Sequence, residues 1–485
     1  MDEMQNESVM NETTKYEAPQ PAPRPRPRRR PKTKAELFKE NTLPLIILAI
    51  AGILIVTFII GSIVRGVQKR KIETEASIAA SESMAEEEAR LSAEMAEILA
   101  SADARAAVYD YDDAIALIDN FSGNIGAFPQ LQEARVRYEY NKASLVPWED
   151  PNAIVSLSFQ TLVADPVRGF AHESQGNSLR QHYITVSEFQ KILEELYAND
   201  YILVSLHDIA EIGTSASGTM GYRYKELYLP EGKKPIILTQ TNLCYNLSLV
   251  DSDEDMIADK GGAGIASKLL LNDDGSFTCE MVDADGNLVY GAYDLIPILD
   301  DFIEAHPDFS YHGAKAVLAL TGYNGLFGYR THSAGRDLFG EDAYAKDMQS
   351  VQSIVEALKN SGYELACYTY GNRPYGVFSL SEIQADMNLW NDEVVSILGQ
   401  MDIMVFAQKS DISETMLYSG EKFDYLKSLG FNYFMGFSNS GDSFTFIGDE
   451  YVRQGRILVT GENLIHHADW FNGIFNIENV LDEAR

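Results

Sequence analysis

Lys234–Asn242 reads KPIILTQTN. Three consecutive large aliphatics enter a threonine- and amide-rich end, over a length that suits a strand and not a helix. An apolar run without alternation marks a strand buried on both faces, as in a parallel sheet. Other segments repeat the pattern. Ile154–Leu162 (IVSLSFQTL), Tyr201–Leu206, Ala316–Thr321, Tyr363–Tyr370, Asp402–Ala407 and Asn432–Phe437 read as strands. Between them lie helical patterns: a helix capped by Ser187 through Asn199, then Asp294–Ala305, Ala343–Asn360, Leu380–Gly399 and Glu421–Leu429. About seven β/α repeats in this length predict a closed or nearly closed barrel.

One insertion breaks the rhythm. Residues 268–291 (KLLLNDDGSFTCEMVDADGNLVYG) hold two Asp-Gly dipeptides between alternating runs, which predicts a β-hairpin or meander. Asp283-Ala-Asp285-Gly286-Asn287 resembles the start of a calcium loop but lacks its distant glutamate; turn chemistry accounts for it.

Upstream, Leu43–Val64 is 22 residues without a charge. As a helix it is roughly 33 Å long, the thickness of a bilayer core. Arg65, Lys69, Arg70 and Lys71 stand where a signal peptide would need small residues for cleavage, so the segment is expected to be a retained anchor. Eight basic residues lie between Pro23 and Thr42, against four between Arg65 and Met84. The more basic flank faces the cytoplasm. This places the N-terminus in the cytoplasm and the C-terminal body outside, as a single-pass protein of the cell membrane. Residues 1–42, with PQPAPRPRPRRRP at Pro19–Pro31, are expected to be a disordered tail.

Residues 65–108 are rich in Ala, Glu, Ser and Met and read as a helical stalk. Met84, Leu91, Met95, Ile98 and Ala102 follow a loose heptad, leaving self-association open. Residues 109–146 form a helical hairpin of tetratricopeptide type. One such unit cannot bury its own face and must dock on the stalk or the main domain. Pro147 opens the main domain, 147–485.

Composition narrows the chemistry. Residues 1–42 carry 9 basic and 7 acidic residues, leaving 30 basic and 65 acidic for the rest, a net of −35. Such a body repels phosphate backbones, so nucleic acid is not an expected partner. The cysteines Cys244, Cys279 and Cys367 are odd in number and form no CxxC, which argues against a disulfide framework or a zinc knuckle. No HxH, HxxxH or GxSxG occurs; His466 and His467 are adjacent and point apart. His207-Asp208, at a predicted strand end, suits a capping role.

Three segments carry a family resemblance. Tyr183-Ile-Thr-Val-Ser-Glu-Phe189, followed by Tyr201-Ile-Leu-Val-Ser-Leu-His-Asp-Ile209, is similar to the opening of the polysaccharide deacetylases, the NodB-homology carbohydrate esterases. Lys234-Pro235-Ile-Ile-Leu-Thr-Gln-Thr-Asn242 stands where that family has Pro-aliphatic-Leu-Thr-Phe-Asp-Asp. Gly362-Tyr-Glu-Leu-Ala-Cys-Tyr368-Thr-Tyr-Gly-Asn372 stands where it has Gly-Tyr-Glu-aliphatic-Gly-Ser-His-Thr, three residues and a second His. The chain resembles most the membrane-anchored Gram-positive members. The resemblance implies an α/β fold: a distorted (β/α)-barrel of the polysaccharide deacetylase type, preceded by the transmembrane helix, stalk and hairpin.

It also implies a divalent metal such as zinc, held by one Asp and two His, with a second Asp as base. Here the base position is Thr241, and the ligand positions are Asn242, Tyr368 and Asn372. None of these can hold charge against a dication, so no cofactor is expected. The expected role is a catalytically inactive extracellular domain that binds cell-wall glycan or scaffolds another envelope protein. Gln240, Asn242, Tyr368, Tyr370, Asn372 and Gln408 are the candidate substrate-binding residues. Aromatic rings at Tyr245, Tyr323, Phe327, Tyr329, Tyr375 and Trp470 add faces for a sugar. The alternative is an active N-deacetylase whose metal site uses other carboxylates, such as Asp251, Asp253 or Asp411.

Overall fold

The computed structural model describes residues 34–485 except 216, 414 and 439. The Pro/Arg-rich tail at Pro19–Pro31 lies outside the described residues. The chain divides into two units, Met1–Arg90 and Leu91–Arg485. The described residues of the first unit are the leading part of one helix, Lys34–Ala107. Its charge-free stretch makes it long and apolar enough to cross a membrane.

In the second unit the end of that helix packs on the hairpin helices Tyr111–Asp119 and Pro129–Ala143. Ala102, Ala114, Ile118, Leu131, Ala134 and Tyr138 are buried together, flanked by Leu91, Met95 and Ile98. The heptad seam from Leu91 onward is thus spent within the chain. Asp110 caps the first hairpin helix, and Pro129 opens the second, where no backbone donor is needed.

The main body is a closed barrel of seven parallel strands: β1 (Val155–Phe159), β2 (Lys234–Thr241), β3 (Val317–Leu320), β4 (Glu364–Cys367), β5 (Ile403–Val405), β6 (Tyr433–Phe437) and β7 (Val452–Leu458). Neighbours in sequence are neighbours around the barrel. β7 closes it on β1 through two pairs, Ile457 with Leu157 and Leu458 with Ser158. Side chains alternate between two apolar layers. Ile237, Val317, Ala319, Val405 and Met435 fill the interior, while Leu157, Leu238, Leu318, Leu365 and Phe434 meet the outer helices.

Several elements differ from the sequence reading. Tyr201–Leu203 is not a stave. It pairs with the start of β2, on the edge whose far end pairs with β3, and fills the lower gap between them. The seventh stave is β7, whose polar sequence VRQGRIL gives no strand signal. The helix after Thr185 is capped by Thr185 and not Ser187: its hydroxyl accepts from Glu188 N while Glu188 accepts from Thr185 N. The helix from Leu380 ends at Trp390 and continues through a π turn, Asn391–Val395. The insertion is a three-stranded antiparallel meander. Asp283 accepts from the backbone of Asp285 and Asn287 there, so its carboxylate shapes a turn.

Two charged clasps hold the body. Below the barrel, the His207 ring bonds the Glu364 carboxylate with one nitrogen and Asp402 with the other at 3.1 Å, joining a short turn to the starts of β4 and β5. Burial pulls its pKa down, but the bonds to Asp402 and Glu364 outweigh this and raise it to about 10. At the side, Arg485 grips Glu188 with Nε and Nη2, both at 2.6 Å, in full burial.

Because the folded pKa of His207 lies above its unfolded value of about 6.5, its stabilisation is complete below that pH and is lost as pH rises through about 10. The melting-temperature difference between wild type and His207→Gln is therefore expected to shrink over that interval. A constant difference would exclude the charged clasp. Arg485→Ala strands Glu188 in the core and is expected to cost roughly 3–5 kcal/mol in urea unfolding. A loss below about 1 kcal/mol would show that Glu188 finds other solvation.

Candidate functional site at the barrel mouth

Binding groups in a β/α barrel gather at the C-terminal strand ends. At the end of β2, Thr241 points inward and its hydroxyl donates to Phe159 O at 3.1 Å. Asn242 turns into the left-handed region, φ 58°. Its Oδ1 accepts from Thr321 Oγ1 at 3.2 Å, Tyr323 OH at 3.5 Å and Cys244 Sγ at 3.7 Å. Burial raises the pKa of the Tyr323 phenol and the Cys244 thiol, so both remain protonated donors.

The loop after β4 is tied by a carboxylate that sequence reasoning did not single out. Asp386, on the helix Leu380–Trp390, accepts from Tyr370 N at 2.8 Å, Gly371 N at 2.9 Å and Tyr375 OH at 2.8 Å. Tyr368 is buried at the mouth. Tyr370 is half-buried and donates to Glu393 at 2.5 Å. Asn372 has φ 53°, and its Oδ1 is buried without a partner. From the loop after β5, Gln408 donates to Asn372 O at 2.6 Å.

The structure thus brings Thr241, Asn242, Tyr368, Asn372 and Gln408 to the strand ends on one face of the barrel. Gln240 is not among them. Alternation turns it outward, where Nε2 donates to Asp294 Oδ1 at 2.7 Å under the helix layer. This corrects its assignment as a substrate-binding residue. Tyr245 and Tyr375 are fully buried and offer no face to a sugar.

The strongest charge at the mouth comes from β7. Arg456 is 1% exposed and makes no hydrogen bond or ion pair to a carboxylate among the described residues. Its guanidinium donates to Gly436 O at 2.8 Å, Ser158 Oγ at 2.8 Å and Phe406 O at 2.9 Å. Burial pulls its pKa down to about 10, which leaves it charged at neutral pH. One turn of the strand below, the Gln454 amide and the Ser156 hydroxyl are buried without partners.

Of the carboxylates named as alternative metal ligands, Asp251 and Asp411 carry hydrogen bonds. Asp411 pairs with Arg453 at 2.8 Å and accepts from Tyr418 OH at 2.8 Å. Asp251, Asp253 and Asp259 approach within 4.8 Å. Asp251 accepts from three backbone amides of its own loop, and Asp259 from Ser252 and Gly261. These bonds shape the loop.

Beside the mouth opens a cavity of about 660 Å³. Its walls come from Gly376 and Val377 after β4, Lys409–Ser413 after β5, Phe437 at the end of β6, and Phe444 and Arg453.

A scan of protein-family models gives no match, and a search of curated proteins gives none either. Among solved structures the chain is similar to the Streptococcus pyogenes deacetylase PplD in complex with acetate. Identity is 12% and the TM-score 0.34; the match covers 70% of this chain and 99% of that chain.

Asp294 behind the mouth offers a test of the placement of Gln240. Burial raises its pKa to about 6, against the amides of Leu162 and Leu295 and the Gln240 side chain, which lower it. The folded state therefore binds a proton more tightly than the unfolded chain, and stability falls as pH rises from about 4 to 6. Asp294→Asn is expected to flatten that slope in thermal unfolding. An unchanged slope would place the titrating group elsewhere.

Proposed function

We propose that the chain anchors in the cell membrane and holds outside the cytoplasm a polysaccharide deacetylase-like barrel that binds envelope glycan without hydrolysing it. The observation that carries the reading is the chemistry of the mouth. The residues present do not fit a divalent cation. Thr241 and Asn242 are neutral and committed to internal hydrogen bonds. Tyr368 and Asn372 stand at the other two ligand positions, and neither supplies a carboxylate or an imidazole. Arg456 adds a fixed positive charge inside the same strand ends, which opposes a second cation in a medium of low polarity. With neither a ligand set nor a base, water is not activated for attack on an amide.

What remains suits recognition. Half-buried Tyr323, Tyr370 and Asn372 and exposed Gln408 provide rings and amides at the strand ends. Such groups stack on sugar faces and bond hydroxyls. The adjoining cavity, with Phe437 and Phe444 in its wall, extends that surface and lies within the size range of ligand pockets. The basic flank before Leu43–Val64 supports an outside location for the body.

The purified full chain, in detergent, is expected to hold no stoichiometric zinc, cobalt or manganese. Its melting temperature should not respond to these ions, and it should release no acetate from N-acetylglucosamine oligomers. One tightly bound ion per chain together with acetate release would establish the active deacetylase instead.

A further inference from the structure

The cavity beside the mouth differs in charge from the body around it. Asp411 and Arg453 cancel each other, each less than a tenth exposed. Lys409 remains. It is exposed, lines the cavity, and has no hydrogen-bond or ion-pair partner among the described residues. In a chain of net charge −33, this cavity presents a cation that has no ion-pair partner among the described residues.

The cavity is built rather than incidental. Gln408 and Lys409 are successive non-glycine residues in the left-handed region, φ 53° and 55°. Gln408 is fixed there by its bond to Asn372 O. A β-carbon on Gly436 would stand 2.5 Å from Asp411 Oδ2, and one on Gly376 would stand 2.4 Å from Asp411 O, so the walls meet at contact distance. Lys422 pins one wall through Tyr375 O at 2.9 Å and Gly376 O at 2.8 Å. Arg453 pins the other through Met416 O at 2.9 Å and Ser413 O at 3.3 Å. The cavity is open, and two of its apolar lining residues are well exposed: Val377 79% and Met416 46%.

We propose that this cavity is a subsite for an anionic saccharide, a sugar ring bearing a carboxylate or phosphate, with Lys409 as the cation that selects it. The ring's CH face lies against Phe437 and Phe444, and the acidic group meets the Lys409 ammonium in a charge-assisted hydrogen bond. The net negative charge of the chain disfavours anions in general, so a local cation confers discrimination rather than mere affinity. The inference rests on the glycan-binding reading and adds the class of glycan.

The test is calorimetric titration of the full chain with three probes: a galacturonic acid tetramer, N-acetylglucosamine 6-phosphate and a neutral N-acetylglucosamine tetramer. An acidic probe is expected to bind more tightly than the neutral one, and which acidic probe does so identifies carboxylate or phosphate. Lys409→Ala should weaken the acidic probe about tenfold or more and leave the neutral probe and the melting temperature unchanged. Lys409→Arg should retain binding. If the neutral tetramer binds as well as the acidic probes, or if Lys409→Ala changes nothing, the subsite is overturned while glycan binding stands. If no probe binds the wild type, both readings fall.

Discussion

A buried guanidinium whose hydrogen bonds among the described residues all go to neutral acceptors holds the top of this barrel together. Arg456 rises from β7 and reaches Ser158 on β1, Gly436 on β6 and Phe406 just beyond β5. The seam it serves is thin, since β7 meets β1 through only two residue pairs. Burying an unpaired charge is expensive unless its hydrogen-bonding capacity is met. Here three neutral acceptors from three strands converge on it, and that convergence exists only in the closed barrel. The charge therefore both marks closure and stabilises it. The same guanidinium also sets the sign of the potential at the mouth.

Around that fixed cation the carboxylates have been turned to architecture. Asp386 gathers two amides and a phenol and so shapes the loop after β4. Asp411 neutralises Arg453 and closes the loop after β5. Asp294 holds the start of the strand-end loop after β1 through Leu162 N. Each accepts several hydrogen bonds, which is what keeps a buried carboxylate tolerable. A surface so arranged can hold a ligand by rings, amides and a single ammonium.

Much of the barrel was legible from sequence because its strands are buried on both faces. Runs such as PIIL at 235–238 carry that signal without any partner in view. The stave β7 was not legible, for the reason that makes it important. Arg453, Gln454 and Arg456 look like loop residues, and the acceptors for Arg456 come from positions 158, 406 and 436. No local pattern encodes them. Conversely, Tyr201–Leu206 has strand composition, yet only Tyr201–Leu203 pairs, and it pairs beneath the barrel. At the mouth, the sequence presents each strand end as one contiguous segment. Alternation divides them: Thr241 faces inward and Gln240 faces the helices.

The backbone at the mouth carries a further signal. Asn242, Thr369, Asn372, Gln408 and Lys409 all adopt left-handed conformations just past strands β2, β4 and β5. Asparagine enters that region at small cost, since its amide bonds locally; threonine, glutamine and lysine do not have that advantage. Such strain persists only where surrounding structure over-determines it. At Thr369 the hydroxyl accepts from Arg373 N at 2.7 Å, and at Gln408 the amide grips Asn372 O. These bonds fix the two loops against each other and present Lys409 at the cavity wall. Pre-ordered loops spend folding energy so that less ordering remains when a ligand arrives. The ordering cost of these two loops is thus met on folding.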